Sequence, residues 1–221
     1  MKTVMTSVLL LIAATCFGAG DVRPMPDHPA MGCGMHMPMP MCAMHHCPRA
    51  EIGAPAPPFA LDGVVNMEFK RVGLKEYRGK WVVLFFYPAD FTFVCPTEIK
   101  GFSKALPEFK QANAEVLAVS VDSKFAHLAW LKSGALGKLD YPLLADPTKR
   151  TARAYGVLNE QEGTARRGLF IIDPQGVIQY QVVHSDKVGR SVDETLRVLK
   201  ALQTEELCPI NWRPGEKTIK Q

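Results

Sequence analysis

The chain has no run of five or more Lys or Arg and no basic stripe interleaved with aromatic residues, so the electrostatic footprint of a nucleic-acid binder is missing. Its formal charge of +4 adds little to such an attraction. It also lacks an apolar run long enough to span a bilayer, which takes about 18 or more residues; the N-terminal core from Val8 to Ala14 falls well short. Cysteine is scarce where a packed domain would lie. Of six cysteines, Cys16, Cys33, Cys42 and Cys47 come early and only Cys95 and Cys208 belong to the later chain. That distribution excludes a small disulfide-framework protein. No second cysteine follows Cys95 in a Cys-x-x-Cys pair, the context being Cys95-Pro96-Thr97-Glu98, which weakens a reading as a dithiol–disulfide exchanger.

What is present suffices for one substantial core. The chain has 221 residues with 47% hydrophobic content, which suits one catalytic domain with an appendage. Lys2 precedes the short apolar core, and Gly18, Ala19 and Gly20 follow it before Asp21. Residues 1–20 therefore read as a secretory signal peptide, which implies export to a periplasm or cell envelope; if they are instead a docked or frayed helix, the protein is cytoplasmic. A lipoprotein reading would lipidate Cys16, but Thr15 fits poorly before it. From Met25 to Cys47, seven methionines are interleaved with His28, His36, His45, His46, Cys33, Cys42 and Cys47. Residues 21–50 lack a periodic apolar face and are expected to be disordered. Their thioether, thiolate and imidazole groups suit Cu(I), and the imidazoles also suit Zn or Cu(II), so the segment is either a metal-buffering tail or an oxidisable linker.

Ala54-Pro55-Ala56-Pro57-Pro58 reads as a stiff connector, with the folded domain spanning residues 51–221. Phe59 to Leu61 and Asn66 to Lys70 suggest a hairpin around Asp62-Gly63, and Leu74 to Tyr77 one helical turn. Trp81 to Tyr87 is a continuous apolar run expected of a central parallel strand covered on both faces. After Cys95, Ile99, Phe102, Leu106 and Phe109 recur at near-helical spacing, with Pro107 expected to kink the helix. Val116 to Val121 reads as another strand, followed by a helix capped by Asp122 or Ser123 and carrying Phe125, Leu128 and Leu131. A hairpin turns at Asp173-Pro174-Gln175-Gly176. Ser191 and Glu194 form a capping-box signal for a last helix with Val192, Leu196, Leu199 and Leu202 on its apolar face. A βαβ unit followed by a hairpin and helix predicts an α/β, thioredoxin-like fold with a central mixed sheet flanked by helices.

The apolar strand ends at Pro88, and Cys95 falls where a helix begins. A helix N-terminus carries unpaired N–H groups and roughly half a positive charge; such settings lower cysteine pKa values from about 8.5 to roughly 3.5–7.5. Cys95 is therefore the candidate nucleophile. Pro88, Thr92 and Cys95 match Pro-x-x-x-Thr-x-x-Cys, and Val157-Leu158-Asn159, the stretch Arg-Arg-Gly-Leu-Phe-Ile-Ile-Asp at 166–173 and Leu207-Cys208-Pro209-Ile210-Asn211-Trp212 follow in order. From about residue 50 onward, the chain resembles the typical two-cysteine peroxiredoxins.

The resemblance implies a thiol-specific peroxidase that needs no metal or prosthetic group in its catalytic step. Thr92 would hold the peroxide and the thiolate through its hydroxyl, Pro88 would shield the site from water, and Arg167, directly before Gly168, would supply the cation beside the sulfur. Glu98 and Arg190 match positions that orient that arginine. Cys208 would be the resolving thiol, acting from a partner subunit, which implies a homodimer and commonly a ring of five dimers, re-reduced by a thioredoxin-like donor. His127 and His184 fit no such pattern and read as structural or surface groups. Where peroxide-sensitive relatives carry Gly-Gly-Leu-Gly and a C-terminal Tyr-Phe helix, this chain has Gly134-Ala135-Leu136-Gly137 and no Tyr-Phe, so resistance to over-oxidation is expected. The rival reading, from another class, is an exported copper-handling protein that uses a thioredoxin-like domain as scaffold.

Overall fold

A computed structural model of the protein describes residues 50–220. The expected signal peptide, the Met/His/Cys segment up to residue 49 and the lipidation candidate Cys16 lie outside them. Among the described residues no helix is long and apolar enough to cross a membrane.

The described chain begins as a strap. Ala50 N–H donates to the Ala154 carbonyl, Gly53 N–H to Ile178, and Ala56 N–H to Gly176, while the Tyr155 hydroxyl donates to the Pro57 carbonyl. The prolines expected to form a stiff connector are thus bound to the domain. They suit this because an extended, proline-rich segment needs few partners for its own backbone.

The hairpin of β1 (Ala60–Val65) and β2 (Glu68–Gly73) follows. Its turn is at Asn66-Met67, both with positive φ, as the two-residue turns that match strand twist require. It is not at Asp62-Gly63: Gly63 lies inside β1, opposite Leu144 of a neighbouring strand, where a β-carbon would collide with the Leu143 carbonyl. The glycine there permits close approach and is no turn residue. A single 3₁₀ turn, Leu74–Tyr77, leads into β3 (Trp81–Phe86). Then come α1 (Cys95–Gln111), β4 (Ala114–Ser120) and α2 (Lys124–Lys132). After them lie β5 (Leu143–Ala145), a short α3 (Arg150–Ala154) and the two-residue strands β6 (Leu158–Asn159) and β7 (Thr164–Ala165). The chain finishes with β8 (Arg167–Ile172), β9 (Ile178–His184) and α4 (Val192–Leu202).

Seven strands form one mixed sheet in the order β2-β1-β5-β4-β3-β8-β9, the thioredoxin-like arrangement expected. β3 sits inside it, parallel to β4 but antiparallel to β8, so it is central without being wholly parallel. Its alternate residues serve two cores. Val83 and Phe85 face α1 and α4, packing with Ile99, Phe102, Phe109 and Leu199; Val82, Leu84 and Phe86 face Phe59, Tyr155, Val157 and Phe170. Each such side chain contributes about 1.5–3 kcal/mol on burial, which anchors the strand end that feeds the site.

α1 runs continuously through Pro107. In α2, Ser123 caps the helix by accepting from Ala126 N–H, but the buried residues are His127 and Trp130, while Phe125 is exposed. Of the expected Phe125–Leu128–Leu131 face, Leu128 is half-buried and Leu131 packs against the core, and only Phe125 is exposed, while Trp130 and His127 fill the space beneath the loop after β3. Ser191 caps α4 by accepting from Glu194 N–H at 3.1 Å; the Glu194 carboxylate pairs with Arg197, so the capping box is half formed.

Candidate active site

β3 and β8 run side by side at the sheet centre, and the site is built at their shared end. After Tyr87 the chain leaves β3, and α1 starts at Cys95 with Pro96 in its first turn, where proline's missing N–H costs nothing. The sulfur thus lies at the positive end of a four-to-five-turn helix, fully buried. Arg167, the first residue of β8, reaches it from the adjacent strand: its Nη1 lies 3.5 Å from Cys95 Sγ. Helix end and guanidinium both stabilise negative charge on that sulfur.

Arg167 is itself fixed. Nη1 also donates to Glu98 Oε2 at 2.5 Å, and Nε donates to the Asp186 carbonyl at 3.0 Å. Glu98, three residues beyond Cys95, shares its carboxylate between two arginines. Arg190 meets it with Nε at 2.7 Å, Nη2 at 2.9 Å and its backbone N–H at 2.8 Å. Arg190 Nη1 also donates to the carbonyls of Phe86 and Gly168, and the guanidinium stacks over Phe85. One arginine therefore ties the ends of β3 and β8 to the first turn of α1.

Burial alone would raise the Glu98 carboxyl. The hydrogen bonds and charge of Arg190, with the charge of Arg167, outweigh it and hold the group below its ordinary value, so it remains a carboxylate. For Arg167, burial opposes the charge, but Glu98 and the Cys95 sulfur prevail and push the guanidinium up. The cation beside the sulfur is permanent. Two positive groups and one carboxylate leave the cluster one positive charge in excess, which suits a thiolate and an incoming polar oxygen.

Thr92 sits within the loop, and its hydroxyl donates to the Ala89 carbonyl at 2.9 Å. The hydroxyl expected to hold the peroxide and the thiolate thus has its proton engaged by the loop itself. The hydroxyl's lone pairs remain available, so in this state Thr92 can accept from a hydroperoxide O–H. Pro88 is half-buried at the start of the same loop. Cys208 lies beyond α4, half-buried and, like Cys95, a free thiol. Its sulfur is 3.5 Å from Thr204 Oγ1 and 3.9 Å from the Ala201 carbonyl. The chain therefore gathers Cys95, Glu98, Arg167 and Arg190 into one cluster, keeps Thr92 and Pro88 on its loop, and leaves Cys208 elsewhere.

Sequence reasoning missed the support beneath the loop. Asp90 accepts from the Tyr87 hydroxyl and pairs with His127 Nδ1, both at 2.8 Å. Asp and His here are separated by α1 and β4, so no local motif signals the pair. Among the described residues no group of three or more His, Cys, Asp or Glu is arranged to hold a metal.

The AhpC/TSA family profile matches residues 52–181. Peroxiredoxin-2 of Bos taurus is 54% identical over 180 residues, covering 78% of this chain and 90% of that one. Thioredoxin peroxidase of Trypanosoma brucei rhodesiense is 53% identical over 183 residues, covering 79% and 92%. Among solved structures, the reduced 2-Cys peroxiredoxin of Plasmodium vivax aligns with a TM-score of 0.73 and 41% identity, over 76% of this chain and 92% of that one. AhpC of Mycobacterium tuberculosis aligns with a TM-score of 0.68 and 43% identity, over 75% and 100%. From the profile, the relatives and the shared fold, the chain belongs to the AhpC/TSA family of peroxiredoxins.

Proposed function

We propose that the chain is a thiol peroxidase reducing hydrogen peroxide and small organic hydroperoxides through Cys95. The observation that carries this is Arg167 Nη1 at 3.5 Å from a sulfur at a helix N-terminus. The Cys95 thiolate attacks one peroxide oxygen, the O–O bond breaks, and the departing oxygen takes a proton to leave as water or alcohol. Cys95 becomes a sulfenic acid. Arg167 bears the negative charge that shifts from sulfur to leaving oxygen, Thr92 accepts the peroxide O–H, and Pro88 limits water.

The sulfenic acid then condenses with the thiol of Cys208 of the partner subunit, giving a disulfide and water. A thioredoxin-like dithiol reduces that disulfide, as the name of the trypanosomal relative suggests. The acting unit is a homodimer, which can assemble further into a ring of dimers. Residues 1–20 direct export, residues 21–50 form a separate Met/His/Cys-rich segment, and the catalytic domain occupies residues 51–221. The reductant is then an envelope dithiol protein. With family and site in agreement, copper handling is not retained as the activity of the domain.

The test is non-reducing electrophoresis after one equivalent of hydrogen peroxide and rapid thiol blocking, on a chain with Cys16, Cys33, Cys42 and Cys47 replaced by Ser. We expect a disulfide-linked dimer that disappears in both Cys95→Ser and Cys208→Ser, with peroxide consumption lost in Cys95→Ser. Peroxide consumption persisting in Cys95→Ser would overturn the assignment. Undiminished turnover in Cys208→Ser would replace the two-cysteine cycle by a one-cysteine one.

A further inference from the structure

We propose that His127 and Asp90 form a latch that positions the Cys95 loop, setting how Cys95 divides between attack on peroxide and exposure for disulfide formation. The inference rests on the peroxidase cycle above. In that cycle Cys95 has two incompatible tasks. It must be buried beside Arg167 to attack, and it must leave that site to reach Cys208 of the partner subunit, since its sulfur has no exposure in the present fold. Something must hold the loop from Tyr87 to Val94 closed by a finite amount.

The contacts beneath the loop are suited to this. The Asp90 carboxylate is buried and accepts at both oxygens, from the Tyr87 hydroxyl and from His127 Nδ1, each at 2.8 Å. Asp90 N–H donates to Asp122 Oδ2 at 2.9 Å, and Ser120 Oγ donates to the same oxygen at 2.7 Å. One loop residue is thus tied to the end of β3, the end of β4 and the inner face of α2. The next residue, Phe91, adopts φ +55°, a conformation a bulky side chain holds only when its surroundings impose it. Its ring rests on Trp130, 5.7 Å away, and Trp130 also meets Tyr87. Asp90 is the anchor, and the strained residue follows it directly.

His127 has no exposure, and its Nε2 has no hydrogen-bond partner among the described residues. An apolar side chain of similar shape would fill the same space without that unsatisfied atom. The imidazole is thus explained by its Nδ1 contact to Asp90 and not by packing. Burial, followed by the Asp90 charge, pushes the Tyr87 phenol well up, so it stays a hydrogen donor to the carboxylate. Neither residue hydrogen-bonds to the sulfur, whose partner is Arg167. They act through the loop, as positioning residues.

Weakening the latch favours the open loop, so two rates move in opposite directions. The first oxidation, Cys95 thiolate to sulfenic acid, slows because the closed site is less populated. Disulfide formation gains on the competing second oxidation, in which another hydroperoxide converts the sulfenic acid to sulfinic acid and leaves as water or alcohol. Full-length wild type, Tyr87→Phe, His127→Leu and His127→Asn are exposed to graded hydrogen peroxide with a thioredoxin-like reductant. Mass spectrometry of the Cys95 peptide then counts disulfide and sulfinic acid, and rapid mixing gives the first oxidation rate.

We expect the peroxide concentration giving half sulfinic acid to rise about tenfold in His127→Leu, the scale of one buried hydrogen bond to a charged group, with a slower first oxidation. Tyr87→Phe shifts both in the same sense by less. His127→Asn, which can present an amide N–H near the Nδ1 position, recovers much of the difference. A merely structural role lowers stability without this paired change of opposite sign. If His127→Leu does not fold, Tyr87→Phe decides. Unchanged rates in a folded Tyr87→Phe, or two rates falling together, overturn the latch. Wild type that forms neither disulfide nor sulfinic acid would instead overturn the peroxidase reading.

Discussion

The two cysteines of the described chain sit in opposite surroundings. Cys95 is fully buried and lies against an arginine that is itself held by a carboxylate and a backbone carbonyl. Cys208 is half-buried beside a groove of about 590 Å³, and among the described residues its sulfur has hydrogen-bonding contacts to a hydroxyl and a carbonyl at 3.5 and 3.9 Å. Its neighbour Ile210 is almost wholly exposed. The segment is kept in place by Arg197, which donates to the Trp212 carbonyl, and by the bridge between Leu207 and Ile219. Charge stabilisation demands fixed partners, since a guanidinium displaced by an ångström loses much of its effect. A thiol that resolves by meeting a partner, as proposed for Cys208, needs freedom instead.

Removing the carboxylate between the two arginines should break this contrast most severely. Glu98→Ala leaves Arg167 and Arg190 buried without their counter-charge and should cost about 3–5 kcal/mol of stability, read as a lowered urea midpoint. Arg167→Ala comes next: peroxide reduction by Cys95 should fall about 10²–10³-fold, measured by rapid mixing, and Arg167→Lys should recover little. A lysine cannot reproduce the guanidinium's fork to Glu98, Asp186 and the sulfur.

Acid should sharpen the contrast more gently. The Glu98 carboxyl lies below its ordinary 4.5 in the folded chain. Its contribution to stability is therefore full above the unfolded value and is lost as pH falls through the lower folded one. The stability difference between wild type and Glu98→Gln should shrink below about pH 4.5. The smallest effect belongs to the segment around Cys208. Arg197→Ala removes a half-exposed pair with Glu194 and the Trp212 contact, and should cost less than about 1 kcal/mol while changing disulfide formation only a few-fold. A large loss there would mean that the Cys208 segment is as rigidly required as the Cys95 site.

Much of this was legible in the sequence, but unevenly. Cys95, Glu98, Arg167 and Arg190 carry their motif contexts with them, and the apolar run Trp81 to Tyr87 could only be an interior strand. Legibility failed where tertiary contact decides a local choice. Asp62-Gly63 has the composition of a turn, yet Gly63 is needed for approach to Leu143, and the turn falls to Asn66-Met67. In α2 the most evident apolar residue, Phe125, is exposed, while His127 and Trp130 fill the space under the Cys95 loop. The Asp90–His127 pair joins residues far apart in sequence. No spacing rule reaches that far. Arg190 matches a position expected to orient Arg167, but its clamp on the Phe86 and Gly168 carbonyls depends on where two strands end.

The strap from Ala50 to Pro58 changes the reach of whatever precedes it. A flexible connector there would pivot at Phe59, whereas a bound one moves the pivot to Ala50 and removes roughly 30 Å of extended chain from the lever. The pivot is also fixed in direction, because Ala50 is held at the Ala154 carbonyl, next to α3 and on the side of the sheet opposite α1.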